Sequence, residues 1–104
     1  MTKVTIYKNV KNECVGFKAF GHAGYAEYGH DIVCASISTA CIVTANLIEK
    51  LDLSYNVIDL VCDEGYFRLK VKTVDPTLNG VFENLEFTMA NISKQYPKYL
   101  KMKK

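Results

Sequence analysis

The chain has 104 residues, 49% of them apolar and 23% charged, with 13 Lys and Arg against 11 Asp and Glu. That size makes a single domain able to bury a core without disulfide or metal support, and the balance excludes an intrinsically disordered chain. The net charge of +2 is uneven: Lys94, Lys98, Lys101, Lys103 and Lys104 place +5 in the last eleven residues and leave −3 on residues 1–93, so the body is not a general polyanion binder.

In chain order, Val4 to Lys8 reads as a strand with Val4 and Ile6 on one face. The alternation around it contains no apolar run suited to a signal peptide, and no segment approaches the roughly 20 apolar residues of a membrane span. A cytoplasmic protein without membrane contact is therefore expected. Asn9 to Glu13 is a polar connection, and Cys14 to Phe20 is a second strand pointing Val15, Phe17 and Ala19 one way. After a loop rich in glycine, Ile32 to about Leu51 has the pattern of a helix, with Asp31 as a plausible N-cap.

Two more strands follow, Tyr55 to Cys62 and Tyr66 to Val71, turned by Asp63-Glu64-Gly65. Asp75-Pro76 reads as a cap and first helical turn. Leu78, Val81, Phe82, Leu85, Met89, Ile92 and Tyr96 then recur at steps of three and four on a second helix. The order is ββαββα, an α+β fold in which an antiparallel sheet is packed with two helices over residues 1–104. In the first helix Val33, Ile37, Ala40, Leu47 and Leu51 form one apolar stripe, and Cys34, Cys41, Ala45 and Ile48 a neighbouring one. Ile42 and Val43 face elsewhere. A helix apolar around so much of its circumference is buried or shared with a second subunit, and in so small a domain a homodimer is expected.

The chemistry gathers between Gly21 and Ala35, which hold both histidines and Cys34. Cys34 falls in the first helical turn, where unpaired backbone N–H groups and the positive end of the helix dipole favour a thiolate and offer donors to an oxyanion. His22 ends the second strand, on a firmer support than His30 beside the cap, and is the preferred base on geometry. Asp31 caps the helix or orients His22; both readings are open. Ser38, one turn beyond Cys34, bonds back to the helix or faces the site. Gly21, Gly24 and Gly29 suit a loop that admits a substrate backbone closely, although each also serves as a turn residue.

Plainer readings compete. A helical cysteine is more often a small buried hydrophobe than a nucleophile, and Cys41 is read that way, while Cys14 and Cys62 read as strand packing. His22, His30 and Cys34 as metal ligands would lack standard spacing and need Asp31 or water as a fourth, so neither metal nor cofactor is expected. The four cysteines show no disulfide framework.

The run Gly21-His22-Ala23, then Gly29-His30-Asp31-Ile32-Val33-Cys34-Ala35 and Ser36-Ile37-Ser38, resembles the signature of the ribosomal-processing cysteine proteases, the Prp family, and the likeness extends over the whole chain. The resemblance implies a homodimeric endopeptidase that removes a short N-terminal extension from a large-subunit ribosomal protein. In that family Cys34 corresponds to the nucleophile, His22 to the base, and Asp31 and Ser38 to supporting positions; the segment between His22 and Asp31 corresponds to a flexible substrate loop. His30 has no required family role. Direct RNA contact is not expected. Two rivals stand beside this reading. One is a non-catalytic ribosome-associated protein that binds RNA through its Lys/Tyr tail. The other is a redox sensor at Cys34, for which Cys41, about 10 Å along the helix, is too far to resolve a disulfide.

Overall fold

A computed structural model describes residues 1–27 and 31–103; Tyr28, Gly29, His30 and Lys104 lie outside the described residues. The strands are β1 (Thr2–Lys8), β2 (Cys14–Phe20), β3 (Val57–Asp63), β4 (Tyr66–Val71) and β5 (Leu100–Lys103). The long helices are α1 (Ile32–Lys50) and α2 (Pro76–Gln95), with a single 3-10 turn at Ser54–Asn56. The sheet runs β3-β4-β2-β1-β5, antiparallel except for β5, which lies parallel to β1. The α+β class and the ββαββα order hold, and the sheet is mixed because a fifth strand extends it.

That fifth strand comes from the lysine-rich tail. Lys101 and Lys103 alternate with Leu100 and Met102, so one face of the segment is apolar, and Leu100 is buried against α2 and β1. The return is closed by the N–H of Thr2 donating to the carbonyl of Tyr99 at 3.0 Å.

Both helices cover one face of the sheet. Cross-strand register aligns Val4 with Ala19 and Phe67, and Ile6 with Phe17 and Leu69, so a continuous apolar surface meets α1 and α2. Phe17 is at its centre, stacked on Phe67 (5.4 Å between centroids, 13°) and edge-on to Phe82 (6.3 Å, 72°). Such aromatic pairs add about 0.5–1.5 kcal/mol each beyond their area burial. Helix α2 starts as expected: Asp75 accepts from the N–H of Leu78 at 2.7 Å, followed by Pro76 in the first turn.

Helix α1 buries Val33, Ile37, Cys41, Thr44 and Ile48. This single stripe draws on both of the stripes read from the sequence, and Leu47 and Leu51 fall outside it, exposed. Val43 is 54% exposed and Ile42 46%. Contrary to the sequence expectation, α1 is also long and apolar enough by composition to cross a membrane. The packed stripe and the sheet beneath it show why that composition arises: a helix lying across a core needs apolar residues on more than one side.

Candidate active site

The site forms where three segments meet: the end of β2, the start of α1 and the β3–β4 turn. Gly21 leaves β2 with φ +96, a conformation that L side chains rarely adopt, and a Cβ there would lie 2.9 Å from the carbonyl oxygen of Met1. Its N–H donates to the carbonyl of Gly65 at 2.8 Å, which ties the strand end to the β3–β4 turn. His22 follows, exposed, with its ring lying against that turn: a Cβ on Gly65 would stand 2.9 Å from His22 Nε2.

The opposite nitrogen faces the helix. His22 Nδ1 lies 4.0 Å from Cys34 Sγ, with Cys34 half-buried in the first turn of α1. The pair sits in a cleft of about 540 Å³ lined also by Gly24, Ala26, Asp31, Ser38 and Glu64. An imidazole within reach of a thiol in an open cleft is the minimum apparatus for nucleophilic acyl transfer, and such contacts are often loose before substrate binds.

Asp31 has a different place from the one its orienting role would require. One carboxylate oxygen accepts from the N–H of Cys34 at 2.8 Å, and the other accepts from the N–H of Tyr25 at 3.0 Å. Partial burial alone would push this carboxyl up, but the N–H groups of Cys34, Tyr25, Ala26 and Val33 together hold it below its ordinary value. Asp31 is thus the N-cap of α1 and a latch for the preceding loop. One consequence differs from expectation: the N–H groups of Val33 and Cys34, candidates for an oxyanion site, already serve Asp31.

The loop has a second anchor that the sequence did not disclose. Tyr25 packs edge-on against Tyr96 (5.6 Å) and Tyr99 (5.2 Å). The two tail tyrosines, assigned to RNA in one rival reading, form its seat. Ala23, two residues before Tyr25, is buried, whereas Gly24 has φ +76 and open space where a Cβ would stand. Ser38 lines the cleft. Gly29 and His30 fall outside the described residues, so the substrate-binding reading of the first and any part played by the second do not enter this geometry. Among the described residues no three His, Cys, Asp or Glu side chains converge as metal ligands would.

The remaining thiols are set apart by environment. Burial pushes Cys41 up to about 12, with nearby Cys62 adding to the effect, and burial also raises Cys14. Cys62 is exposed.

Comparison with known proteins agrees with this arrangement. The family model described as "Cysteine protease Prp" matches residues 1–101. The ribosomal processing cysteine protease Prp of Bacillus subtilis is 25% identical over an alignment of 107 positions, covering 98% of this chain and 96% of that protein. Two crystal structures of the Staphylococcus aureus protease superpose well. The complex with a covalently linked product peptide has a TM-score of 0.88 at 24% identity, covering 99% of this chain and 98% of the other, and this likeness speaks for the fold. The complex with a substrate peptide has a TM-score of 0.79 at 25% identity, covering 98% and 97%.

Proposed function

Because the chain belongs to the Prp family of cysteine proteases, we propose that it removes the N-terminal extension of a large-subunit ribosomal protein, with Cys34 as nucleophile and His22 as its base. The observation that carries the reading is the 4.0 Å approach of His22 Nδ1 to Cys34 Sγ in a cleft open to a peptide. The naming of full-length relatives as ribosomal processing proteases supports the substrate class.

In this reading His22 Nδ1 takes the thiol proton as Cys34 Sγ attacks the scissile carbonyl. The proton then passes to the leaving amine as the C–N bond breaks, leaving a thioester that water hydrolyses with His22 again as base. The oxyanion needs donors that are aimed at it in the transition state. The first-turn N–H groups of α1 meet that need once Asp31 swings away from them, and the same motion frees Tyr25 and its loop. Gly21 and Gly24 let the loop backbone approach the substrate. Ser38 lies one turn further along the same wall of the cleft.

A homodimer belongs to the same reading. The apolar residues that α1 leaves exposed, Ile32, Ile42, Val43 and Leu47, are suited to cover by a second copy. So does a cytoplasmic location, where its substrate is made.

The test incubates the purified protein, and separately its Cys34→Ala and His22→Ala forms, with the extended ribosomal protein of the same cell. Product masses are then measured. Clipping by the unaltered protein alone supports the assignment, and clipping by Cys34→Ala overturns it.

A further inference from the structure

The helices cover one face of the sheet and leave the other bare. Strand register sets the rows that cross this bare face. One row runs Lys101, Lys3, Phe20, Tyr66, Asp63 from the β5 edge to the β3 edge. The next runs Lys103, Thr5, Lys18, Arg68, Val61. A third, on β1, β2, β4 and β3, carries Tyr7, Gly16, Lys70 and Asp59. Six cations thus share the face with two carboxylates, and four of the six, Lys3, Lys18, Arg68 and Lys70, come from residues 1–93, whose net charge is −3. Among the described residues the one ion pair on this face joins Arg68 to Asp59, at 2.6 Å on the β3 side.

At the middle of the cations lies an aromatic platform. Phe20, 54% exposed, meets the edge of Tyr66 at 5.8 Å. Arg68 lies over the Tyr66 ring at 5.7 Å and donates to its hydroxyl oxygen at 2.9 Å, while Lys70 Nζ sits 4.7 Å above Tyr7.

Against the expectation of no direct RNA contact, we propose that this helix-free face binds single-stranded RNA. Charge complementarity selects a polyanion, and the exposed Phe20 ring beside half-buried Tyr66 selects one whose unpaired bases can stack. An antiparallel sheet that offers aromatics to bases and lysines to phosphates is an established way of holding single strands. A second copy is disfavoured on the same face, since lysines would meet lysines across a two-fold axis. The apolar surface of α1 lies on the other layer. Phe20 is two residues from His22, so a strand held here runs along the edge of the cleft. The enzyme would thereby sit against a ribosomal particle beside its substrate. That last use rests on the proposed function; the binding itself does not.

The experiment follows fluorescence anisotropy of a labelled oligouridine of about 12 nucleotides, long enough for one binding face. Binding is measured between about 50 and 200 mM salt, where each phosphate neutralised on a single strand adds about −0.7 to the slope of log affinity on log salt. The Lys3→Gln/Lys18→Gln double variant should bind about tenfold more weakly and flatten the slope by about 1.4. Phe20→Ser should weaken binding about fivefold or more with the slope unchanged, as a lost stacking platform does. Cys34→Ala should bind as the unaltered protein does, which separates this proposal from the protease assignment. Lys94→Gln/Lys98→Gln, off this face, should leave affinity within about twofold. A thermal melt of the Lys3→Gln/Lys18→Gln protein that matches the unaltered protein shows that it is folded. The proposal is overturned by no binding of the oligouridine to the unaltered protein, by equal weakening with the Lys94→Gln/Lys98→Gln pair, by no effect of Phe20→Ser, or by a fall in solution mass with Phe20→Ser, which would make the face a self-contact. Tighter, Phe20-dependent binding to phosphatidylserine vesicles than to the oligouridine also overturns it.

Discussion

The support beneath His22 is testable through Gly65. Replacing Gly65 with Ala places a Cβ 2.9 Å from His22 Nε2, 3.3 Å from Cε1 and 3.5 Å from Cδ2. Ordinary contact begins near 3.4 Å, so the ring must shift by about 0.5 Å, since the Gly65 backbone is held by the N–H of Gly21 at 2.8 Å. A catalytic group displaced by about 0.5–1 Å loses on the order of tenfold to a hundredfold in rate. The backbone contributes separately: Gly65 has φ +70, which costs an L residue about 1–2 kcal/mol. For a domain of this size that is a Tm fall of about 4–8 °C per kcal/mol. The two effects come apart with Gly65→Asn, because asparagine tolerates the left-handed region but retains the Cβ. Peptide cleavage (kcat and KM separately) and thermal melts on both variants read the outcome. Gly65→Ala should lose at least about tenfold in kcat together with some stability. Gly65→Asn should regain most of the Tm and little of the kcat. A Gly65→Asn enzyme running at the normal rate would refute the argument that the turn sets the imidazole.

Asp31→Asn retains a side-chain oxygen for one N–H but presents an amide to the other, so it should loosen the Tyr25 latch at a cost of about 1 kcal/mol. The pH sign follows from the folded carboxyl being held below its ordinary 3.8: its stabilisation is fully present above that value and is lost as pH falls through the lower, folded one. Thermal melts from neutral pH down to about pH 2 should therefore show a steeper acid loss in the unaltered protein than in Asp31→Asn. Alkylation near pH 8 followed by peptide mass mapping should label Cys62 and spare Cys41, whose buried thiol is pushed up to about 12. Labelling of Cys41 at the Cys62 rate would mean that α1 opens from the sheet. Val43→Glu, at a position 54% exposed on α1, should turn the proposed dimer into a monomer by sedimentation; an unchanged mass removes that face from the interface.

Local patterns carried much of the fold. The alternation of β1 and β4, the Asp31 and Asp75 caps and the three-four repeat of α2 each express a rule acting within a few residues, and each element lies where that rule puts it. Features created by distant segments were not legible. Strand β5 is only four residues long and needs β1 as a template before its alternation means anything. The 4.0 Å approach of His22 to Cys34 joins residues of one short motif, whereas the ring's rest on Gly65 depends on a turn more than forty residues away. Asp31 showed the limit of residue type: a carboxylate before a helix suits capping and orienting equally, and only the positions of the Tyr25 and Cys34 N–H groups separate them. The cations at 3, 18, 68, 70, 101 and 103 look scattered in sequence and are gathered solely by register.

The pairing of β5 with β1 ties two distant parts of the molecule together. Tyr96 and Tyr99, against which the cleft loop rests, lie directly before β5, so the seat of Tyr25 and one margin of the sheet are fixed by the same segment. Fraying at that margin and slackness at the mouth of the cleft are thereby a single event.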